Sequence, residues 1–198
     1  MWAIVTDNTI TKILNNPKGM IIDDIQYSRK IFSLWSVSEK EAKGIYEVVF
    51  NNTNKKDEAY YTNTNQSFAF ADGVVTASYG SATAKAYADA NATDADGNDL
   101  DPVVVIPGLK TQKIKIVKSQ AASILAQTDW YIVRKADANT AVPSAITTFR
   151  AAVRTKCAAM ETAITNASNT AAIETLYTHT IDEDGISSRP LGELPEAV

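Results

Sequence analysis

Any chemistry in this chain has to start from very few side chains. The sequence holds one cysteine, Cys157, and one histidine, His179. A zinc site built from Cys and His needs about four ligands, so these two cannot supply one. A Ser-His-Asp constellation would have only His179 as its base. His179 follows Tyr177-Thr178 at the end of an apolar-periodic segment. In that position an imidazole is expected to face the last carbonyls of a helix. Cys157 falls on the apolar stripe of a strong helical pattern, which predicts a small core residue. A single cysteine also excludes a disulfide within the chain and fits folding in a reducing compartment.

Carboxylates offer two further patterns. Asp94-Ala95-Asp96-Gly97-Asn98-Asp99-Leu100-Asp101 invites a calcium reading, but an EF-hand loop needs Gly at its sixth position and Glu at its twelfth. Counted from Asp94, those positions hold Asp99 and Val105, so an acidic turn is expected. Asp182-Glu183-Asp184-Gly185 places carboxylates side by side in a turn, whereas glycoside hydrolysis needs two held across a cleft. Two basic groups stand out: Lys110, Lys113, Lys115 and Lys118, then Arg134, Lys135, Arg150, Arg154 and Lys156. No aromatic platform interleaves the first group, as single-strand binding would require. The glycines match no phosphate-cradling spacing. The sequence therefore predicts no catalytic, cofactor-binding or metal site, and no enzyme.

The whole chain points the same way. Over 198 residues the formal net charge is −4, with 45% hydrophobic and 21% charged residues. That composition suits a packed globular chain and gives no general electrostatic pull toward nucleic acid or anionic membrane. No run is apolar enough to span a bilayer, and the opening residues have no leader pattern. Neither nucleic acid nor membrane is expected as a partner.

The elements that would position these residues form an α+β arrangement. Residues 1–80 read as a small, mostly antiparallel β domain with one short helix. Trp2-Ala3-Ile4-Val5-Thr6 and Thr9-Ile10-Thr11-Lys12-Ile13-Leu14 are strands around an Asp7-Asn8 turn. Met20-Ile21-Ile22 is a further short strand or buried extended segment. Ser36 and Glu39 have the capping-box spacing, so a helix runs from there to about Lys43 and stops at Gly44. Ile45 to Phe50 is a strand, and Asp72-Gly73 is the turn of a second hairpin. Residues 81–108 are rich in Ala and Asp and read as a linker or insertion, with an extended strap between Pro102 and Pro107.

From residue 109 to 181 the pattern is helical. Ile114, Val117, Ala121, Ile124 and Leu125 share one face, although residues 113–118 also alternate like a strand. Thr128-Asp129 reads as a break with a new cap. Pro143 suits the opening of the next helix. There Ile146, Phe149, Val153, Cys157, Met160 and Ile164 recur with a mean spacing near 3.6, as a core-facing helix requires. A shorter helix, about 169–177, follows. Residues 182–198 read as an extended tail.

Within the helical part, Leu125-Ala126-Gln127-Thr128-Asp129-Trp130, then Pro143, then Phe149-Arg150-Ala151-Ala152-Val153-Arg154, resembles the L-x-x-T-D-W … P … Y-R-x-x-x-R segment of tailed-phage tail-fibre assembly proteins and related fibre components. Phe149 stands where that pattern has Tyr. Trp35-Ser36-Val37-Ser38-Glu39 with Gly44-Ile45-Tyr46 resembles a small module of phage tail proteins. With Arg189-Pro190-Leu191-Gly192-Glu193, the chain as a whole is similar to tail structural proteins of marine phages such as those of cyanobacteria.

This resemblance implies a non-enzymatic virion protein of the tail: a fibre, fibre adaptor or baseplate subunit, assembled in the host cytoplasm. Its partners would be other phage tail proteins and copies of itself, with a trimer expected if it is a fibre. It marks Trp130, Arg134, Phe149, Arg150 and Arg154 as the candidate interface. Trp130 is expected to pack its indole onto a neighbouring helix, and the arginines to make fixed ion pairs. The same residues would serve equally to hold the helices together. A fibre-assembly chaperone absent from the finished particle is the first alternative. An envelope-degrading hydrolase is a second, opposed by the missing catalytic set.

Overall fold

The computed structural model describes residues 1–196, and the chain divides into two compact units, Met1–Thr83 and Ala84 onward. The architecture is α+β, with the larger sheet in the first unit and the long helices in the second.

In the first unit the sheet order is β2 (Thr9–Leu14), β1 (Trp2–Thr6), β5 (Ile45–Asn51), β8 (Val74–Tyr79), β7 (Gln66–Ala71). The expected hairpins form where the turn chemistry places them. Asp7 and Asn8 have φ of 50° and 58°, and Asp72 and Gly73 have 51° and 76°. These values suit the tight turns that match strand twist. The sheet is mostly antiparallel, as expected, and one pairing within it is parallel: β5 with β8, Val48 opposite Val75 and Phe50 opposite Ala77. β7 supplies the return that a parallel pair needs. The edge strands β2 and β7 come close to one another, so the sheet curls toward closure.

Strand alternation in β1 feeds two cores. Ala3 and Val5 point into the curled sheet with Val48, Val75 and Ala77. Trp2 and Ile4 point the other way, onto Leu14, Ile31, Phe32 and Ile45. This second core is roofed by the hairpin β3 (Met20–Ile22) and β4 (Ile25–Tyr27) and by two short helices, α1 (Ile31–Leu34) and α2 (Val37–Glu41). The sequence pattern announced only α2. Ser36 caps it as expected: its hydroxyl accepts from the Glu39 N–H at 3.2 Å, and the Ser36 N–H donates to the Glu39 carboxylate at 2.7 Å. Gly44 ends this segment at φ +71°, where a Cβ would collide with the Val5 carbonyl. Short strands β6 (Tyr61–Thr62) and β9 (Thr83–Ala84) complete this part of the chain.

In the second unit, α3 (Leu109–Ala126), α4 (Asp129–Ala138), α5 (Ser144–Asn166) and α6 (Thr170–Tyr177) follow the hairpin strands β10 (Ala90–Asn91) and β11 (Val105–Ile106). Residues 113–118 are helical, so the strand alternative for them does not occur. Their neighbours continue the 3.6-residue period in both directions. Every apolar position singled out on α5 is buried, including Cys157. From Phe149 to Ile164 these side chains meet Val117 and Ala121 of α3 in one core.

Of residues 81–108, expected as a linker or insertion, the part from Ala84 on belongs to this unit and is tied to the start of α3. The Leu109 and Lys110 N–H groups donate to the Ala86 and Tyr87 carbonyls at 2.9 and 3.0 Å. The Asp89 carboxylate accepts from the Gly108 N–H at 2.8 Å and from the Thr111 hydroxyl at 2.9 Å. A helix leaves its first N–H groups without internal partners, and a carboxylate there is favoured by the helix dipole. Asp89 thus acts as a cap from twenty residues away in sequence, which no local cap pattern could reveal.

The expected extended tail is a correction. Thr180–Ile181 (β12) and Ser187–Ser188 (β13) pair as a hairpin. The chain then straps the bundle, with Leu191 only 2% exposed in the helical core and Leu194 against it. The Leu191 N–H donates to the Leu176 carbonyl at 3.0 Å, and Arg189 pairs with Glu193 at 2.6 Å. The prolines and acids there suggested solvent, but two leucines spaced three apart decide the packing. The last two residues of the expected tail lie outside the described residues.

Candidate docking surface

The candidate interface is built where α3 gives way to α4 and α5 begins. Arg150, on the first turns of α5, is buried at 7% exposure. Its guanidinium donates to the Leu125 carbonyl at 2.7 Å, to the Thr128 hydroxyl at 2.6 Å and to the Asp129 carboxylate at 2.8 Å. A planar fork with several fixed donors meets such a divergent set, as a lysine could not. Thr128 does not cap α4 as expected. Its hydroxyl turns back to donate to the Leu125 carbonyl at 3.0 Å and accepts from Arg150. The α3–α4 turn is therefore fixed from α5. Phe149, beside Arg150, is interior and packs with Val117, Val153 and Met160.

Of the other three residues of the set, Trp130 and Arg154 are exposed and Arg134 is half-buried. Trp130 is 51% exposed, so the expected packing of its indole onto a neighbouring helix is a correction. It stacks instead on Tyr131, with ring centroids 3.8 Å apart and planes 31° from parallel. The Arg134 guanidinium lies over both rings, 4.7 Å from the Trp130 centroid and 5.4 Å from that of Tyr131. Stacking of this kind is worth about 0.5–1 kcal/mol at an exposed site. Arg134 thus makes a ring contact where an ion pair was expected. Arg154 is exposed and has no ion-pair partner among the described residues.

α4 itself is unusual in its polarity. None of its residues is buried. Trp130, Ile132 and Val133 are exposed, while Tyr131 and Arg134 are the half-buried positions. A helix on a water-facing surface normally turns its apolar stripe inward. Here the apolar side chains look out, and the charged end of the stack is tucked under them. The Arg134 Nε is buried without a hydrogen-bond partner.

The remaining chemistry-bearing residues do structural work. The Cys157 thiol donates to Glu161 at 3.4 Å, and burial pushes it up from the ordinary thiol range, with Glu161 adding to the shift. Glu161 also pairs with Lys118 at 3.0 Å, which holds its carboxyl below the usual range. His179 does not face helix carbonyls; its Nδ1 lies 3.2 Å from the Ser187 hydroxyl across the β12–β13 hairpin. The Asp94 carboxylate accepts from the Asp96 and Asn98 N–H groups, each at 2.9 Å. Those bonds, led by that from Asn98, hold it below the usual range.

One side chain outside the sequence reading is Lys40. It is buried on α2, its ammonium 4.6 Å from the Trp2 ring centroid and 3.4 Å from the Phe32 carbonyl. A lysine spaced four from Ser36 in a short helix gives no warning of burial. The spatial neighbours come from β1 and α1.

No helix among the described residues is long and apolar enough to cross a membrane. Comparison of the chain with protein-family models, curated proteins and solved structures finds no match.

Proposed function

We propose that this chain is a non-enzymatic structural component of a phage tail, a fibre, fibre adaptor or baseplate subunit, that works by docking other tail proteins and copies of itself. The observation that carries the reading is the outward apolar face of α4, Trp130, Ile132 and Val133. The start of that helix is pinned by the three-way Arg150 contact with Leu125, Thr128 and Asp129. Exposed apolar surface on a fixed element marks interaction surfaces, and a pre-ordered face loses little entropy when a partner arrives. The phage-tail assignment comes from the sequence resemblance over residues 117–154 and at Trp35 to Tyr46. Protein identification on purified particles and on infected-cell lysate tests it. Presence in the particles is the expected result. Presence in lysate alone replaces this reading with the assembly-chaperone one, which the same 117–154 segment favours.

A further inference from the structure

The chain carries a net charge of −4, yet two hollows in the first unit are charged the other way. Both use the 15–19 loop as a wall. Asn16 and Pro17 line one hollow, of about 650 Å³, and Lys18 and Gly19 line the other, of about 610 Å³. Trp2, Arg29, Lys30, Phe32 and Ser33 complete the first, and the second also holds Thr11, Lys12 and Gln26. Neither lining includes an Asp or Glu. Lys12, Lys18, Arg29 and Lys30 are exposed, and none has an ion-pair partner among the described residues. Asp23 and Asp24, in the β3–β4 turn, line neither hollow, and Asp23 is already held by Lys43 at 2.6 Å.

Lys40 adds a further cation behind the first hollow. Its ammonium, 4.6 Å from the Trp2 ring centroid and 3.4 Å from the Phe32 carbonyl, stands against two residues of that lining. The residue is only 8% exposed. A buried charge is ordinarily paired, but no carboxylate pairs with this one among the described residues. Like charges gathered about a concave, low-dielectric surface focus a positive potential there. The cations come from positions 12, 18, 29, 30 and 40, so no basic run in the sequence marks the place.

The rest of the lining narrows the ligand. Trp2 is half-buried and supplies an apolar wall. Asn16, Ser33, Thr11 and Gln26 carry amides and hydroxyls, which both donate and accept hydrogen bonds. An acidic sugar uses all three features: an apolar wall for its C–H face, donor-acceptor side chains for its hydroxyls, and cations for its acid groups. Single-stranded nucleic acid calls for successive stacking rings, and here the second ring, Phe32, is only 6% exposed. Each hollow has the volume of a small-molecule site, so the pair suits neighbouring rings of an oligosaccharide.

We propose that these two hollows form a binding site for an acidic saccharide. A ring lies against Trp2, and its sulfate or carboxylate groups meet Arg29 and Lys30 on one side of the loop and Lys12 and Lys18 on the other. Arg29 presents the planar fork that matches an oxyanion at two points. The site lies wholly within the first unit and does not depend on α4.

Titration calorimetry of the full chain with a sulfated heparin hexasaccharide and, separately, a galacturonate hexamer tests it. Saturable binding of at least one is expected, weakening as salt is raised, with none to a neutral dextran of similar length. Arg29→Glu combined with Lys30→Glu is expected to weaken binding about tenfold. Lys115→Glu combined with Lys135→Glu makes the same charge change on exposed residues of the second unit and should leave binding nearly unchanged. All four side chains are exposed, so both double variants should melt as the parent does. Equal losses in the two double variants would overturn the site. Polyglutamate or single-stranded DNA of matched charge binding as tightly as the sugars would overturn the saccharide assignment, and failure of both sugars to bind would refute the proposal outright.

Discussion

The Arg150 guanidinium reaches back from α5 to the Asp129 carboxylate at 2.8 Å, joining the first residue of α4 to a helix that begins fifteen residues later. The two ends are unequal, since the arginine side chain is 8% exposed and the aspartate 56%. Replacing Arg150 with Met is expected to destabilise the second unit by about 3 kcal/mol, because the Leu125 carbonyl and Thr128 hydroxyl lose their donor as well. Asp129→Asn, at the wet end, should cost at most about 1 kcal/mol. Urea denaturation of both variants checks the ranking, and equal costs would mean that the ion pair alone matters.

Leu191 carries the prediction for the strap. A leucine buried to 2% in the helical core should cost about 3 kcal/mol when cut to Ala, through lost burial and the cavity left behind. A free tail would give no change. Thermal melting followed by helical circular dichroism distinguishes the two.

Acid should loosen α2 through Glu39. Its carboxyl sits below the ordinary range, first because it accepts the Ser36 N–H and then because it accepts the Ser36 hydroxyl. A carboxyl lowered on folding contributes its full stability above the unfolded value. It loses that contribution as pH falls through the folded value, so the window lies below the ordinary glutamate range. Glu39→Gln keeps the capping-box acceptor without the titration. The expected result is similar stability at neutral pH and a shallower acid limb. Identical acid limbs in the two proteins would exclude Glu39 as a contributor.

Trp130 should separate stability from association. Trp130→Ala removes a half-exposed ring and its stacking contacts, so the unfolding free energy is expected to stay within about 1 kcal/mol of the parent. Binding to any partner that covers α4 should fall by about 2 kcal/mol or more, as for a buried aromatic anchor. Titration calorimetry against purified tail proteins, or self-association by sedimentation, reads the second quantity.

Local physics made much of this fold legible. The 3.6-residue spacing from Ile146 to Ile164, the Asp7-Asn8 and Asp72-Gly73 turns and the Ser36–Glu39 box each act within a few residues, and each is in place. Where the reading fell short, the deciding contact is distant. The parallel register of Val48 with Val75 depends on chain return through β7. The Thr128 hydroxyl has the type and position of a cap, but Arg150, twenty-two residues on, draws it elsewhere. Trp130 has the size of a core residue, and only the placement of Tyr131 and Arg134 beneath it shows that it faces out. The grouping of Trp130, Arg134, Phe149, Arg150 and Arg154 came from a pattern in the chain. Its division into two interior residues, Phe149 and Arg150, the half-buried Arg134, and the exposed Trp130 and Arg154 needed the packing.

A density map of purified tails, resolved well enough to trace helices, tests the central claim most directly. The account predicts that density for this chain is present and that the Trp130–Val133 face of α4 lies against a neighbouring chain. Tails with density for the chain but with that face open to solvent would contradict docking through α4, and tails that lack the chain would contradict the structural role itself.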